Sequence, residues 1–398
     1  MTQTLEAPPA ALPRNTPPPA ACGPFSVIFN RDPLAAALAA LAPCVKARGP
    51  IACLSCVKLT AADGSVTLEA TDRELWASRT VTQVQVEAAG ALLVSYDALR
   101  RAVGKLAGQT IRVAIDGGVV RVFDEDFGYD LEPSALAEFP PALKSDAARA
   151  GTILAAGLAR LVKQTDAARD DSVSTRYVFQ AFYLSASGER VRCVACDGKH
   201  LHDAGARWEP ASKKSKLSAV IPAAALKAVV VMAGEEGDVG IAVGDEGEAG
   251  RIAFSGDGWQ LSGPLVAGNY PSPDDVIPQS NANTATVARE DLLRLFGQAA
   301  ELLDHESRWL KAEWDLTGLT LSPARNVSRG GKSLRALPLK YQGAPLTIGL
   351  NAPQIIAALT AADSTEVTVG LDAPNRPIRI DAGPDFKAVV MPISLVGT

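Results

Sequence analysis

The chain has 398 residues, 47% of them hydrophobic and 21% charged, with a formal net charge of -5. That length exceeds what one hydrophobic core serves, so several domains are expected, and the composition is globular rather than disordered. No apolar run reaches a bilayer span, and the acidic balance excludes a surface coated throughout with nucleic acid while leaving room for a local basic lining.

Residues 1–24 carry seven prolines and no apolar block behind a basic start, which predicts a disordered arm rather than a leader peptide. A strand at 25–29 then leads into a helix at 32–44, and alternating strands turn at Asp63-Gly64. A strand ending at Ser95 leads into a second helix that runs to Val103. The same order returns twice. Strand 152–154 opens helix 155–168, a hairpin turns at Ser187-Gly188, and strand 219–222 opens a helix through Val230. Strand 284–287 opens helix 289–303, strand 347–351 opens a helix through Ala358, and a hairpin turns within 372–375. Leu34, Leu158 and Leu292 mark the first helix of each copy, and Leu99, Leu226 and Ile355 the second, at intervals of roughly 125 to 135 residues. Each copy closes a core by laying two helices on antiparallel sheet, so the fold class is α+β with three tandem domains at 25–146, 147–278 and 279–398. Three such units in a row suggest an arc whose ends pair head to tail.

Several segments are similar to those of one family. These are RGPIACL at 48–54 with LEATDRE at 68–74, TRYVF at 175–179, VACDGKHL at 194–201, GNYPSPDDVIP at 268–278, IGLN at 348–351 and VVMPISL at 389–395. In this order and spacing the chain resembles the bacterial DNA sliding clamps, the β subunit of DNA polymerase III, from about Phe25 to Leu395.

The resemblance implies a ring formed by a head-to-tail homodimer, with helices lining the hole and sheet outside. Such a ring holds double-stranded DNA topologically and without regard to sequence, and loose phosphate contacts suit sliding. DNA-facing candidates are Lys46, Arg48, Arg100, Arg101, Lys105, Arg160, Lys163, Arg176, Tyr177 and Lys227, with Arg294 on a further helix face. Partners implied are the polymerase catalytic subunit, the clamp loader, and other polymerases and repair proteins carrying a clamp-binding peptide. By position their peptide cleft uses Phe179, Cys196, Gly198, Lys199, His200, Leu201, Pro271, Val276, Asn351, Gln354, Val389, Met391, Pro392 and Ile393, and Tyr129 meets Leu302 and Leu303 at the dimer interface. The chain departs from the family at Lys199-His200, Asp275, Gln354 and Ser394, and in its last three residues. No cofactor, membrane or catalytic site is implied, and the location is the cytoplasm, at the nucleoid.

Two other classes compete. Cys53-x-x-Cys56 and Cys193-x-x-Cys196 have zinc-ligand spacing, but both read as strand residues in equivalent strands of two repeats, where positions three apart face opposite ways. Six cysteines, with Cys22 and Cys44, are too sparse for a disulfide scaffold in a chain this long, which fits a reducing compartment. Three histidines, no glycine-rich phosphate loop and no nucleophile elbow disfavour an enzyme. A repeat scaffold that never meets DNA, or a zinc-binding protein, is the alternative.

Overall fold

The computed structural model describes residues 24–46, 49–142, 148–172, 177–244, 250–301, 303, 308–323 and 336–395. The chain divides into two compact units, 1–73 with 78–141, and 74–77 with 142–398. Seven α-helices occur among the described residues: α1 (Arg31–Leu41), α2 (Tyr96–Lys105), α3 (Ala155–Thr165), α4 (Ala223–Ala233), the single turn α5 (Pro273–Val276), α6 (Arg289–Ala300) and α7 (Ala352–Ala361). None of them is long and apolar enough to cross a membrane.

In the first unit α1 buries Leu34, Leu38 and Leu41, a four-then-three spacing that puts all three on one face. The expected helix to Cys44 is shorter, because Pro43 has no N–H to continue the ladder and the chain tightens into a 3-10 turn at Ala42–Cys44. Ser95 caps α2 by accepting from the Ala98 N–H, and the buried Tyr96 hydroxyl donates to the Leu38 carbonyl at 2.9 Å, which ties α2 to α1. A five-stranded antiparallel sheet runs in the order Val84–Ala88, Ser26–Asn30, Thr110–Asp116, Val119–Phe123, Gly128–Leu131. The hairpin between Cys56–Ala62 and Ser65–Thr71 turns where expected, with Asp63 and Gly64 both at positive φ.

The second unit repeats this plan twice. Helices α3 and α4 pack together, as do α6 and α7, and each pair presents buried leucine, valine or isoleucine to sheet. Its largest sheet has nine strands, in the order Leu217–Pro222, Ala181–Ser187, Arg190–Cys196, His200–Arg207, Phe386–Val390, Ile378–Asp381, Glu366–Leu371, Asn283–Ala288, Lys340–Gln342. The seam in its middle joins strands almost two hundred residues apart, with His200, Leu201, His202, Asp203 and Ala204 opposite Val390, Val389, Ala388, Lys387 and Phe386.

Side chains alternate across that seam. Toward the helices, His202 and Phe386 meet edge to face at 5.5 Å, and α3 covers them. On the other face an ionic row crosses four strands. Arg192 is bonded to Asp203 at 2.7 Å and Asp274 at 3.0 Å, Lys387 lies opposite both Asp203 and Asp381, and Arg379 is bonded to Asp381 at 2.8 Å. Each such cross-strand pair contributes only about 0.2 to 1 kcal/mol, so the row fixes register more than it stabilises. Helix ends add a second tie. Gln164 on α3 donates to Asp363, just beyond α7, at 2.9 Å, and Arg160 donates to the Gln164 side chain.

His202 is fully buried, its Nδ1–H donating to the Gln164 carbonyl at 2.9 Å while Nε2 has no partner. Burial pushes its pKa down to about 4, against a weaker opposing pull from that carbonyl. An unfolded histidine titrates near 6.5, so between these values the unfolded chain binds the extra proton, and stability present above about pH 6.5 is lost as pH falls. Lowering pH from 7.5 to 5.5 should cost the second unit on the order of 1 kcal/mol of urea stability through this group, and His202→Gln should flatten that slope. An unchanged slope in the variant would assign the acid sensitivity elsewhere.

Candidate functional site

Beside the seam, on the face that carries the ionic row, the second unit holds an apolar cleft of about 150 Å³. Its floor is set by alternation. Leu201 and Val389 are direct cross-strand partners, two positions along their strands from Asp203 and Lys387, and therefore point to the same side. Phe179, from the 3-10 turn Tyr177–Gln180, and Cys196, ending the strand before the seam, pack on them in one buried cluster with Val194 and Ile277.

The walls come from three loops. Asp197 accepts from the Lys199 and His200 N–H groups at 2.7 and 2.8 Å, which folds Asp197-Gly198-Lys199 into a tight turn requiring positive φ at Gly198. Burial raises the Asp197 pKa, but the bonds it accepts prevail and hold its carboxyl below the usual range. His200 Nδ1 lies 3.0 Å from the same carboxylate without hydrogen-bond alignment, and its Nε2 lies 3.2 Å from the Ala167 carbonyl. The second wall is Pro271 and α5, where Pro273 at the first turn starts the helix and a bond from the Ile277 N–H to the Pro273 carbonyl turns Ile277 inward. Val276 is left outward and 39% exposed. The third wall is Met391, 41% exposed, whose N–H donates to the Lys199 carbonyl at 2.8 Å.

Tyr270 stands behind two of these walls. Its ring stacks on Tyr183 at 5.1 Å and 9°, meets Phe179 edge-on at 6.3 Å, and its hydroxyl donates to the Cys196 sulfur at 3.4 Å. Burial holds the Tyr270 phenol well above its ordinary value and raises the Cys196 thiol, so both are neutral donors and acceptors. The sequence reading missed Tyr270. A signal was present, since the Phe139-Pro140 pair in the first unit has the same aromatic-proline order, and there Phe139 packs on Cys53, Leu54 and Leu93 beneath the Lys58 ammonium.

Ten of the cleft residues named from sequence line this one cavity: Phe179, Cys196, Gly198, Lys199, His200, Leu201, Pro271, Val276, Val389 and Met391. Asn351 and Gln354 lie at the start of α7, Gln354 buried, and Ile393 is tied to Gly349; with Pro392 they stand outside the lining. Of the DNA-facing candidates, Lys46, Lys105 and Lys163 are exposed without an ion pair among the described residues. Arg100 and Arg101 both reach Asp97, at 3.4 and 3.1 Å, Lys227 reaches Asp166 at 2.8 Å, and Arg294 is bonded to Asp291. Arg160 is turned inward, donating to the Gly205 carbonyl at 2.8 Å, whereas Tyr177 is exposed. Tyr129 sits on the edge strand Gly128–Leu131 against exposed Phe127, and Leu303 is half-buried. Arg48, Arg176 and Leu302 lie outside the described residues.

The two cysteine pairs are not equivalent, contrary to the expectation. Cys53 is on a 3-10 turn and Cys56 opens the first strand of a hairpin, while Cys193 and Cys196 both lie on a second strand. Cys193 meets Thr165 on α3 at 3.4 Å and Cys196 meets Tyr270 on the other side, so the sheet separates those thiols. Burial pushes Cys193 up to about 12, and no metal-holding group of His, Cys, Asp or Glu occurs among the described residues.

Family models for the DNA polymerase III beta subunit match twice, the N-terminal domain at residues 25–142 and the central domain at 152–272. The beta sliding clamp of Micrococcus luteus is 30% identical over 260 residues, which is 65% of this chain and 82% of that one. That of Streptomyces coelicolor is 23% identical over 385 residues, covering 94% and 100%. Among solved structures, the sliding clamp of Bacillus subtilis superposes with a TM-score of 0.85 at 19% identity over 94% of this chain and 100% of that one. A clamp from Pseudomonas aeruginosa bound to griselimycin gives 0.85 at 20% identity with the same coverage.

Because Tyr270 supports the cleft from behind, Tyr270→Ala should lower unfolding free energy by about 2 kcal/mol, less than a fully buried aromatic loses because the ring is half-buried. Tyr270→Phe keeps the stack and should cost about 1 kcal/mol. Urea unfolding of both variants checks this, and equal losses would move the support from the ring to the hydroxyl.

Proposed function

The chain belongs to the DNA polymerase III beta subunit family, the beta sliding clamps, and from that membership we propose that two copies close head to tail into a ring around duplex DNA. Each copy contributes three modules, 25–146, 147–278 and 279–398; the arm expected at 1–24 lies, but for Pro24, outside the described residues. The ring tethers the replicative polymerase and so confers processivity, with no catalysis of its own, and works in the cytoplasm on the nucleoid.

Topology rather than affinity holds the DNA. An acidic protein of net charge -5 is repelled by phosphate overall, and exposed helix cations such as Lys46, Lys105 and Lys163, with Arg100, Arg101 and Lys227 already shared with aspartates, give contacts weak enough to slide. Arg48, Arg176 and Tyr177 complete the DNA-facing set by family position. Arg160 serves the α3 joint instead, since its guanidinium is held by Gly205 and Gln164.

The cleft is the docking seat for the polymerase, the clamp loader and other proteins carrying short clamp-binding peptides. The observation that carries this part is the open, fully formed apolar cavity with Val276 and Met391 left exposed on its rim. A preformed concave apolar surface suits a short linear segment, and the flexible thioether of Met391 tolerates several. Tyr129 and Phe127 at an open sheet edge, facing Leu302 and Leu303 of a second copy, make the ring contact.

Solution mass tests the ring: twice 41.4 kDa is expected, and Tyr129→Asp should shift it toward a single copy. The protein should stay on nicked circular DNA when loaded and leave when that DNA is linearised. Met391→Asp should abolish polymerase capture without changing the mass, because it alters the rim and not the sheet edge. Capture unaffected by that change would remove the cleft from the account.

A further inference from the structure

The sheet face that floors the cleft continues past it. Asp203 and Lys387 are cross-strand partners two positions along their strands from Leu201 and Val389, so the two pairs are neighbouring rungs on one face, about 7 Å apart. At the charged rung a second cavity opens, of about 270 Å³, lined by Asp203 and Lys387 among others. The two cavities share α5 and its end. Val276 lines the cleft, Asp274 lines the second cavity, and Ile277 both lines the second cavity and packs in the buried cluster with Leu201 and Val389. Nearly every charge around the second cavity is engaged. Arg192 holds Asp203 and Asp274, Arg190 holds Asp385 at 2.6 Å, and Arg379 holds Asp381. Lys387 is the exception, half-buried and with no ion pair or side-chain hydrogen bond among the described residues. The aspartates opposite it on both flanking strands, Asp203 and Asp381, are each held by an arginine, so an incoming anion meets one uncompensated positive charge.

We propose that a peptide seated in the cleft places an acidic side chain in this second cavity, paired with Lys387, two positions along its backbone from the apolar anchor that covers Leu201 and Val389. An extended segment turns residues two apart to the same side, with about the same 7 Å spacing as the two rungs, so anchor and acid face the sheet together. Lys387 is the specificity-determining residue, and the occupant is an apolar and acidic segment rather than a purely apolar one. The inference rests on the reading of the cleft as a peptide seat and deepens it by naming the chemistry of the occupant.

Two fluorescent peptides test it, each built on two adjacent leucines, with glutamate in one and glutamine in the other placed two positions outward from each leucine. Either leucine, in either chain direction, then presents the group. Fluorescence anisotropy on the full-length protein should show the glutamate peptide binding about fivefold more tightly, the worth of one partly buried ion pair. A protein of net charge -5 repels acid in general, so that preference reports a local cation. Lys387→Gln should bring the two peptides to equal affinity, Lys387→Arg should keep the preference, and half-molar salt should shrink it. Equal binding of both peptides by the unaltered protein, or a preference that persists in Lys387→Gln, would overturn the role of Lys387 while leaving the seat intact. Neither peptide binding to the unaltered protein would overturn both.

Discussion

Everything at the apolar cleft depends on one five-residue pairing, between strand His200–Arg207 and strand Phe386–Val390. It joins segments almost two hundred residues apart, which is entropically slow to form, and it is therefore backed by several independent ties. The ionic row from Arg192 to Arg379 fixes register on one face, while His202 and Phe386 fill the other under α3. A slip of one residue would exchange these faces, turning Asp203 and Lys387 toward α3 and His202 away from it. The cleft exists because that slip is forbidden: Leu201 and Val389 form its floor only in this register.

Much of this architecture was legible in the sequence. The helical period in α1, α3 and α6, the strand that precedes each helix, and the Asp63-Gly64 turn are local signals, and local signals survive in a single chain. Residues of the cleft were legible only through family position, because Phe179, Leu201 and Val389 look like ordinary core by composition. What no local pattern carries is long-range partnership. Arg160 reads as an exposed helix cation until the Gly205 carbonyl is brought to it, and Tyr270 reads as a linker aromatic until Tyr183 comes beneath it. The cysteine pairs failed for a related reason, since equal spacing concealed unequal places in the hairpins.

Stability and recognition are drawn from separate parts of the seam. Interior polar groups such as Gln164 and His202 are committed to holding elements together, and the cost of protonating His202 is a structural one. The side chains of Lys199 and Asp275, by contrast, are exposed and make no ion pair among the described residues, so changing them costs the fold little.

Placing the floor of the proposed peptide seat on the two strands of a joint has a mechanical corollary. An occupant that bridges Leu201 and Val389 adds its own contacts across the line where the two halves of the sheet would part, so occupancy and cohesion are thermodynamically linked. A guest stiffens the joint it rests on, and a force that pries the joint apart evicts the guest.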